Sequence, residues 1–344
     1  MATLVDDVGS FPLPAYTDSK VFEEAYRVAR KAIIEGKHLG KDEFLLNNFN
    51  QVVIGSFMKK VEAGLDIVNY PQHYDMHRQL ADPLRDSMNE GTYLINTERA
   101  VLPEVYVIGC EAKRLYEETG EKVRLRVCMM GPVELYLKEI GSVVHEDILQ
   151  MFAENVKRFA KNSTLNSKYV QTVAVSLDEP SFGFQDIFTD KEVIQSALET
   201  AFNFDGATRQ IHLHSPSKIT DLLNVKNIDV LSIEYAASPK NIDSVSKNML
   251  DQADKQIRVG VSRTDINSIM AELYDKGITK PNAEQMVEDE RIIRKRFETA
   301  KDKYGDRMTF TGPDCGLGGW PTQEAAQLLL ARTVKAVKAA RDKL

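Results

Sequence analysis

The sequence predicts an α/β fold, a single (β/α)8 TIM barrel that takes in residues 1–344 as one domain. Three observations carry that expectation. Short β-branched apolar runs alternate with amphipathic stretches, the pattern of parallel strands joined by crossover helices. There are eight such runs, the number that closes a parallel barrel. No Pro-, Gly- or Ser-rich linker and no internal repeat divides the 344 residues. A closed barrel is a common way for more than about 250 residues to remain one unit.

The first run, residues 4–8, stops at Gly9-Ser10-Phe11-Pro12. Helical periodicity follows over 19–35 and 41–63, then a second strand over 65–69. The third strand, Val123–Met130, ends at Gly131-Pro132, and the fourth, 170–177, ends at Asp178-Glu179-Pro180. Residues 210–213, 230–233, 257–261 and 308–311 supply the remaining four strands, with helices over 146–161, 191–202, 243–253, 283–303 and 322–343. Segment 91–106 is too long for a simple turn and reads as a helix or irregular excursion over one barrel face.

Composition narrows the function. Hydrophobic residues make up 43% and charged residues 28%, which suits a large core and not a disordered chain. A net charge of −7 argues against a nucleic-acid binder, which needs a basic face. Cys110, Cys128 and Cys315 are odd in number and far apart, so they do not read as a disulfide framework and point to a reducing cytoplasm. Segment 1–14 has acids where a signal peptide needs basic and apolar blocks. No apolar run approaches the ~20 residues of a membrane span. The expectation is a cytoplasmic protein with neither nucleic-acid nor membrane partners.

The unusual polar residues gather at one place in this scheme. Gly9-Ser10, Asp178-Glu179, His212, His214, Glu234 and Cys315 each fall at or just beyond the C-terminal end of an expected strand. That rim is where such barrels assemble active sites. His212 and His214 are two apart, so on a strand they face the same way. Glu234 ends the next strand, and Cys315 ends the last and is followed by Gly-Leu-Gly-Gly. Nitrogen, sulfur and oxygen donors in that number suit tetrahedral zinc. The alternative is that each histidine caps a local hydrogen bond and Cys315 is a small buried hydrophobe. His73 and His77, four apart, lack a third ligand and read as a surface helix face. Cys110 and Cys128 read as packing residues, and Trp320 as the anchor of the last helix.

The ordered segments Asp7-Val8-Gly9-Ser10-Phe11-Pro12, Met130-Gly131-Pro132-Val133, Leu177-Asp178-Glu179-Pro180, Ile211-His212-Leu213-His214, Ile233-Glu234, Pro313-Asp314-Cys315-Gly316-Leu317 and Gly319-Trp320-Pro321 resemble the C-terminal catalytic barrel of cobalamin-independent methionine synthase. The resemblance covers nearly the whole chain. It implies a zinc site at His212, His214, Glu234 and Cys315, with His214 standing where the family has cysteine. A shifted alignment places His214 on the family's histidine and Pro216 on its cysteine, leaving three ligands. The resemblance also implies that the backbone of Val8, Gly9 and Ser10 takes the homocysteine carboxylate and Asp178 its ammonium. The family's acidic residue after the second strand has no clear match among Tyr70, Gln72 and Asp75. Its catalytic histidine aligns near Asp265, which makes Asp265 the candidate proton-handling group.

The folate site departs further, with Lys138 and Phe184 at positions where the family has a tryptophan and an acid. A corrinoid donor, delivered by a corrinoid protein as in short single-barrel relatives, is therefore implied over methyl-folate. The implied activity is zinc-dependent methyl transfer to L-homocysteine, giving L-methionine. The chemical demand is simple: a thiol of pKa near 8.5 is mostly un-ionised at pH 7, and a coordinating cation removes its proton. Two other readings use the same residues. One is a zinc thiol alkyltransferase of the coenzyme M type, against which Asp178 weighs because that thiol has no amino group. The other is a non-catalytic barrel with a degenerate metal site.

Overall fold

In a computed structural model describing residues 2–341, eight parallel strands form one sheet in the order β1-β8-β7-β6-β5-β4-β3-β2. They are β1 (Leu4–Val5), β2 (Val68–Asn69), β3 (Val123–Met130), β4 (Val170–Asp178), β5 (Thr208–Leu213), β6 (Val230–Ile233), β7 (Gln256–Ser262) and β8 (Met308–Pro313). The β1–β2 seam is closed by bonds from the Asp66 and Ile67 amides to the Val5 carbonyl, 2.9 and 3.2 Å. The single (β/α)8 barrel expected from the sequence is therefore the fold.

Two expected strands are shorter than their apolar runs: β1 stops at Val5 and β2 begins at Val68. The polar side chains beyond β1 explain the first. Asp7 accepts from the Asn69 amide at 2.8 Å, so a side chain takes over the ladder's role. The expected helix over 283–303 is two helices, Ala283–Met286 and Glu290–Tyr304, with Asp289 capping the second through the Arg291 amide. The expected last helix is Gln323–Arg341; residues 342–343 of it lie outside the described residues. Two helices are longer than the sequence suggests: Met76–Asn89 extends past the helix face expected at His77, and Pro103–Thr119 runs beyond segment 91–106. Segment 91–106 carries the helix expected of it, as a short 3-10 turn at Thr97–Arg99 and the start of helix Pro103–Thr119. It runs along the outer wall, where Asn155 donates to the Tyr93 carbonyl and Asn162 to the Ala100 carbonyl.

The barrel interior is layered, because alternate residues of a strand face inward. Toward the N-terminal ends, Ile67, Val230 and Phe310 pack with Leu4 and Val173 as an apolar plug. Above it lies a polar layer of Asp6, Arg126, Gln210 and Arg258, none with any exposure. Arg258 Nε donates to Asp6 Oδ1 at 2.7 Å, and Arg126 Nε donates to Gln210 Oε1 at 3.3 Å. Contacts between strands that are not neighbours place these side chains on the barrel axis. Continuing by twos along the strands leads to Cys128, His212 and Gly260, and then to the rim.

Candidate metal and substrate site

Four donors meet at the C-terminal rim. One ligand atom from each of His212, His214, Glu234 and Cys315 lies within 4.8 Å of every other. Cys315 Sγ is 3.4 Å from His214 Nε2, which is 3.6 Å from Glu234 Oε1. Zinc bonds of ~2.0–2.3 Å imply edges of about 3.3–3.8 Å in a tetrahedron, so two observed edges already suit such an ion.

Local structure explains how each donor arrives. His212 and His214 follow one another by two at the end of β5, and their rings lie 5.4 Å apart. Glu234 follows β6. Asp314 fixes the turn beyond it, since its carboxylate accepts from the amides of Tyr235, Ala236 and Ala237 at 2.7–3.0 Å. Cys315 comes next in the chain, so one anchored aspartate holds the glutamate loop against the cysteine loop.

His212 is 1% exposed, and its Nε2 has no hydrogen-bond partner. Its Nδ1 lies 3.1 Å from Ser232 Oγ on β6. With Nδ1–H donating to that hydroxyl, Nε2 carries a bare lone pair in a sealed setting. An orphaned buried nitrogen is costly unless something accepts its electrons, and a cation does so. Burial, with the neighbouring His214, Arg258 and Arg126, holds the His212 imidazole neutral by pushing its pKa well down. Burial lowers His214 as well. Burial pushes Glu234 up to about 8, aided by the carboxylates of Asp314 and Asp265. The Cys315 thiol is pushed up by burial and by the charges of Glu234 and Asp178. Neutral imidazoles beside buried acids form a donor set whose charge a divalent cation would balance, so the residues present fit zinc.

Ser232 supports the site without joining it. Ser232→Ala is expected to lower zinc affinity about 10–100-fold while the fold stays intact. Chelator competition would measure this, and unchanged affinity would remove Ser232 from the account.

The expected substrate residues lie beside this cluster. Asp178 pairs in register with His212. Its Oδ1 accepts from Ser176 Oγ at 2.9 Å. Burial pushes its carboxyl up to about 7, against the opposing pull of Arg126. The amides of Val8, Gly9 and Ser10 donate no hydrogen bond among the described residues. Lys60 Nζ binds the Gly9 carbonyl at 2.8 Å from the outer helix Gln51–Glu62. A trans peptide holds its N–H opposite its C=O, so the Ser10 amide points away from Lys60. The cysteine loop closes over the same turn. The Leu317 amide donates to the Ser10 carbonyl at 2.7 Å and the Gly318 amide to Ser10 Oγ at 3.1 Å. A Cβ on Gly316 would meet Ser10 Oγ at 2.4 Å, so glycine is required for that approach.

Other expectations fared unevenly. Asp265 forms a two-point pair with Arg263, 2.7 and 2.9 Å. Burial pushes its carboxyl up, but the Arg263 bonds win and hold it below the usual range. It is an ionised neighbour of Glu234. His73 and His77 do not share a helix face: His73 precedes the helix Met76–Asn89 and binds the Phe11 carbonyl and Ser56 Oγ at 3.0 and 2.8 Å. Burial pushes it down to about 3. His77 pairs with Glu139 at 2.6 Å. Cys110 is exposed, so it is not a packing residue. Cys128 is buried and touches Asn69 Nδ2 at 2.9 Å and Gln72 Oε1 at 3.2 Å. Trp320 is buried in the same apolar cluster as Leu329 and Leu330 of the last helix and donates to the Thr264 carbonyl at 3.1 Å.

Sequence reasoning passed over Ser232 and Lys60, and named Gln72 only as one of three candidates for the position after the second strand. Lys60 left a signal: it continues the buried stripe of Val53 and Phe57 at i, i+4 and i+7, where a lone charge needs a partner. Gln72 sits against the Gly9 turn in the left-handed region at φ 50°, with Nε2 buried and unpartnered. Strain of that kind gathers at ligand clamps, but φ is not written in a sequence.

A closed barrel whose rim gathers two histidines, a glutamate and a cysteine as donors is the class of protein that fold and geometry define. Along its whole length the fold matches the B12-independent methionine synthase of Shewanella sp. W3-18-1, solved in complex with selenomethionine, at TM-score 0.62 and 14% identity, covering 100% of this chain and 99% of that one. It also matches a Listeria monocytogenes protein described as a putative vitamin-B12 independent methionine synthase (TM-score 0.55, 16% identity, 97% and 98% covered). A methyltransferase from Methanosarcina mazei matches at TM-score 0.51 and 13% identity, with 98% and 94% covered. At these identities the likeness establishes the single-barrel fold. No protein-family model and no curated protein matches the sequence. Among the described residues no helix is long and apolar enough to cross a membrane.

Proposed function

We propose that this protein is a zinc-dependent methyltransferase that methylates the thiol of L-homocysteine to give L-methionine, with a corrinoid as donor. The observation that carries the reading is the four-donor cluster with its orphaned His212 nitrogen, set beside an unpartnered amide turn and a buried aspartate. His212, His214, Glu234 and Cys315 would hold the zinc. When bound, zinc supplies the positive charge that keeps a substrate thiol ionised near neutral pH.

The chain's own groups do the rest. The Val8, Gly9 and Ser10 amides donate to the substrate carboxylate, and Gln72 Nε2 adds a donor on the same side. Asp178 accepts from the ammonium, whose arrival compensates its buried charge. Two fixed points at the amino-acid end orient the sulfur toward the metal ligands and cut the entropy of reaching the donor in line. Asp265, paired with Arg263, is the candidate proton-handling group and also acts through its charge on Glu234. Methyl-folate is the other donor considered. Phe184 is 68% exposed, so that position supplies an exposed ring in place of an acid for a pterin.

The decisive assay compares methionine formation from homocysteine with methylcobalamin and with methyl-folate. Turnover with neither, in zinc-loaded protein, would end the reading. Asp178→Asn is expected to raise the homocysteine KM about 10–100-fold, since a hydrogen bond to a charged group contributes roughly 1.5–3 kcal/mol. A thiol lacking the amino group should be insensitive to that change. Equal effects on both thiols would show that Asp178 does not read the ammonium, and would favour the coenzyme M type of substrate.

A further inference from the structure

Arg126 points into the barrel from β3 and has no exposure. We propose that it is a positioning residue for the substrate carboxylate: it holds, from behind, the peptides whose amides receive that group. The proposal rests on the amino-acid site of the methyl-transfer reading and names the side chain that builds it.

Arg126 Nη1 donates to the Asp7 carbonyl at 2.7 Å and also to the Val8 carbonyl. These carbonyls belong to the two peptides that carry the Val8 and Gly9 amides. Along an extended strand, consecutive carbonyls point to opposite sides. Two that converge on one nitrogen mark a chain that has turned, and β1 has already ended at Val5. Among the described residues no peptide is cis, and a trans peptide holds its N–H opposite its C=O. Both amides therefore point away from Arg126, and neither donates a hydrogen bond among the described residues. Asn69 Nδ2 adds a second donor to the Val8 carbonyl at 2.7 Å. Lys60 holds the next carbonyl, that of Gly9, at 2.8 Å. Three successive peptides thus have their carbonyls held by buried cations and their N–H groups free.

Successive free N–H groups form a concavity for an anion. A donor at the carbonyl end polarises the peptide and strengthens the N–H at its other end. Charge acts in the same sense. The buried layer around Arg126 sets two arginines against one carboxylate, Asp6, an excess that a bound carboxylate offsets. Arginine suits the task because one Nη carries two N–H groups, one for each carbonyl. Its plane is fixed through Nε, which lies 3.3 Å from Gln210 Oε1 and 3.5 Å from Asp6 Oδ2. A lysine side chain is one bond shorter.

Calorimetry of the whole, zinc-loaded protein tests this with two probes. They are L-methionine and 3-(methylthio)propylamine, the same molecule without its carboxylate. The unaltered protein should bind L-methionine saturably and the amine at least about tenfold more weakly, the amine being followed by displacement of L-methionine. Arg126→Lys keeps the charge that also pulls on Asp178. It should weaken L-methionine binding by about tenfold or more and change the amine by less than about twofold. Should that variant not fold, Arg126→Gln with Asp6→Asn keeps the net charge of the layer and carries the same expectation. Zinc content and thermal unfolding of the variant report general damage. Equal weakening of both probes would mean that Arg126 only supports the barrel, and unchanged L-methionine binding would mean that the turn does not need it. Either result overturns the proposal. No saturation by L-methionine in the unaltered protein overturns it together with the amino-acid site. Carboxylate-dependent binding that Arg126→Lys weakens, without methylation of homocysteine by either donor, would uphold the role of Arg126 and sink the methyl-transfer reading alone.

Discussion

Cys315→Ala is expected to lower zinc affinity more than about a hundredfold, since removing a ligand should exceed the 10–100-fold effect of losing a supporting contact. The reason lies in the geometry around the sulfur: His214 Nε2 is 3.4 Å away and Glu234 stands just beyond it. Without the thiolate, two imidazoles and one carboxylate remain for an ion that prefers four donors. Metal analysis after dialysis and chelator competition would measure the loss, with Cys110→Ala on the exposed surface as the control. Full zinc retention by the Cys315 variant would take that residue out of the ligand set and leave the proposed chemistry without its thiolate ligand. A pH series adds a second check. Glu234 sits at about 8 and Cys315 is pushed above its ordinary value, so metal binding must release protons below those values. Affinity should therefore rise with pH and fall as pH drops below about 8. A flat profile between pH 6 and 8 would mean that these acids are not ligands.

Lys60→Met is expected to cost about 3–5 kcal/mol of stability, because it strips a buried carboxylate of its partner. Lys60 Nζ lies 2.6 Å from Asp7 Oδ2, and neither side chain is more than 4% exposed. The ammonium also binds the carbonyls of Gly9 and Tyr70 at 2.8 and 3.4 Å. Urea unfolding would measure the loss. Replacing both partners, Asp7→Leu with Lys60→Met, should recover much of it, since a buried ion pair often contributes little over an apolar pair. Wild-type stability in Lys60→Met, or a double variant no better than the single, would contradict this account. The pair reaches the proposed substrate turn as well. In the recovered double variant the Gly9 carbonyl has lost its lysine, so homocysteine KM should rise even though the fold holds.

The strand order, the single closed sheet and the residues gathered at its rim were legible in the chain because they depend on short-range pattern. Val123–Met130 and Val230–Ile233 are strands with the bounds their apolar runs suggest. Alternation by two along β5 made His212 and His214 neighbours before any coordinates. The sequence marks a helix face at His73 and His77, but the helix begins only at Met76 and runs on through Pro83 to Asn89, an extent set by tertiary packing. Helix Pro103–Thr119 begins at a proline, a start signal that the sequence itself carries. The resemblance makes Asp265 a candidate for proton handling, but only the tertiary structure pairs it with Arg263 two residues earlier and holds its carboxyl below the usual range.

By itself the sequence determined which chemical groups end each strand, and so the presence of two imidazoles, a carboxylate and a thiol at one end of a barrel. Only the tertiary structure decided that they share one small volume, that Ser232 leaves the other His212 nitrogen unpartnered, and that Lys60 holds the Gly9 carbonyl. The physical reason is range. Strand periodicity is set by neighbours along the chain, whereas register across strands, burial and the direction of a peptide are set by residues tens to hundreds of positions away.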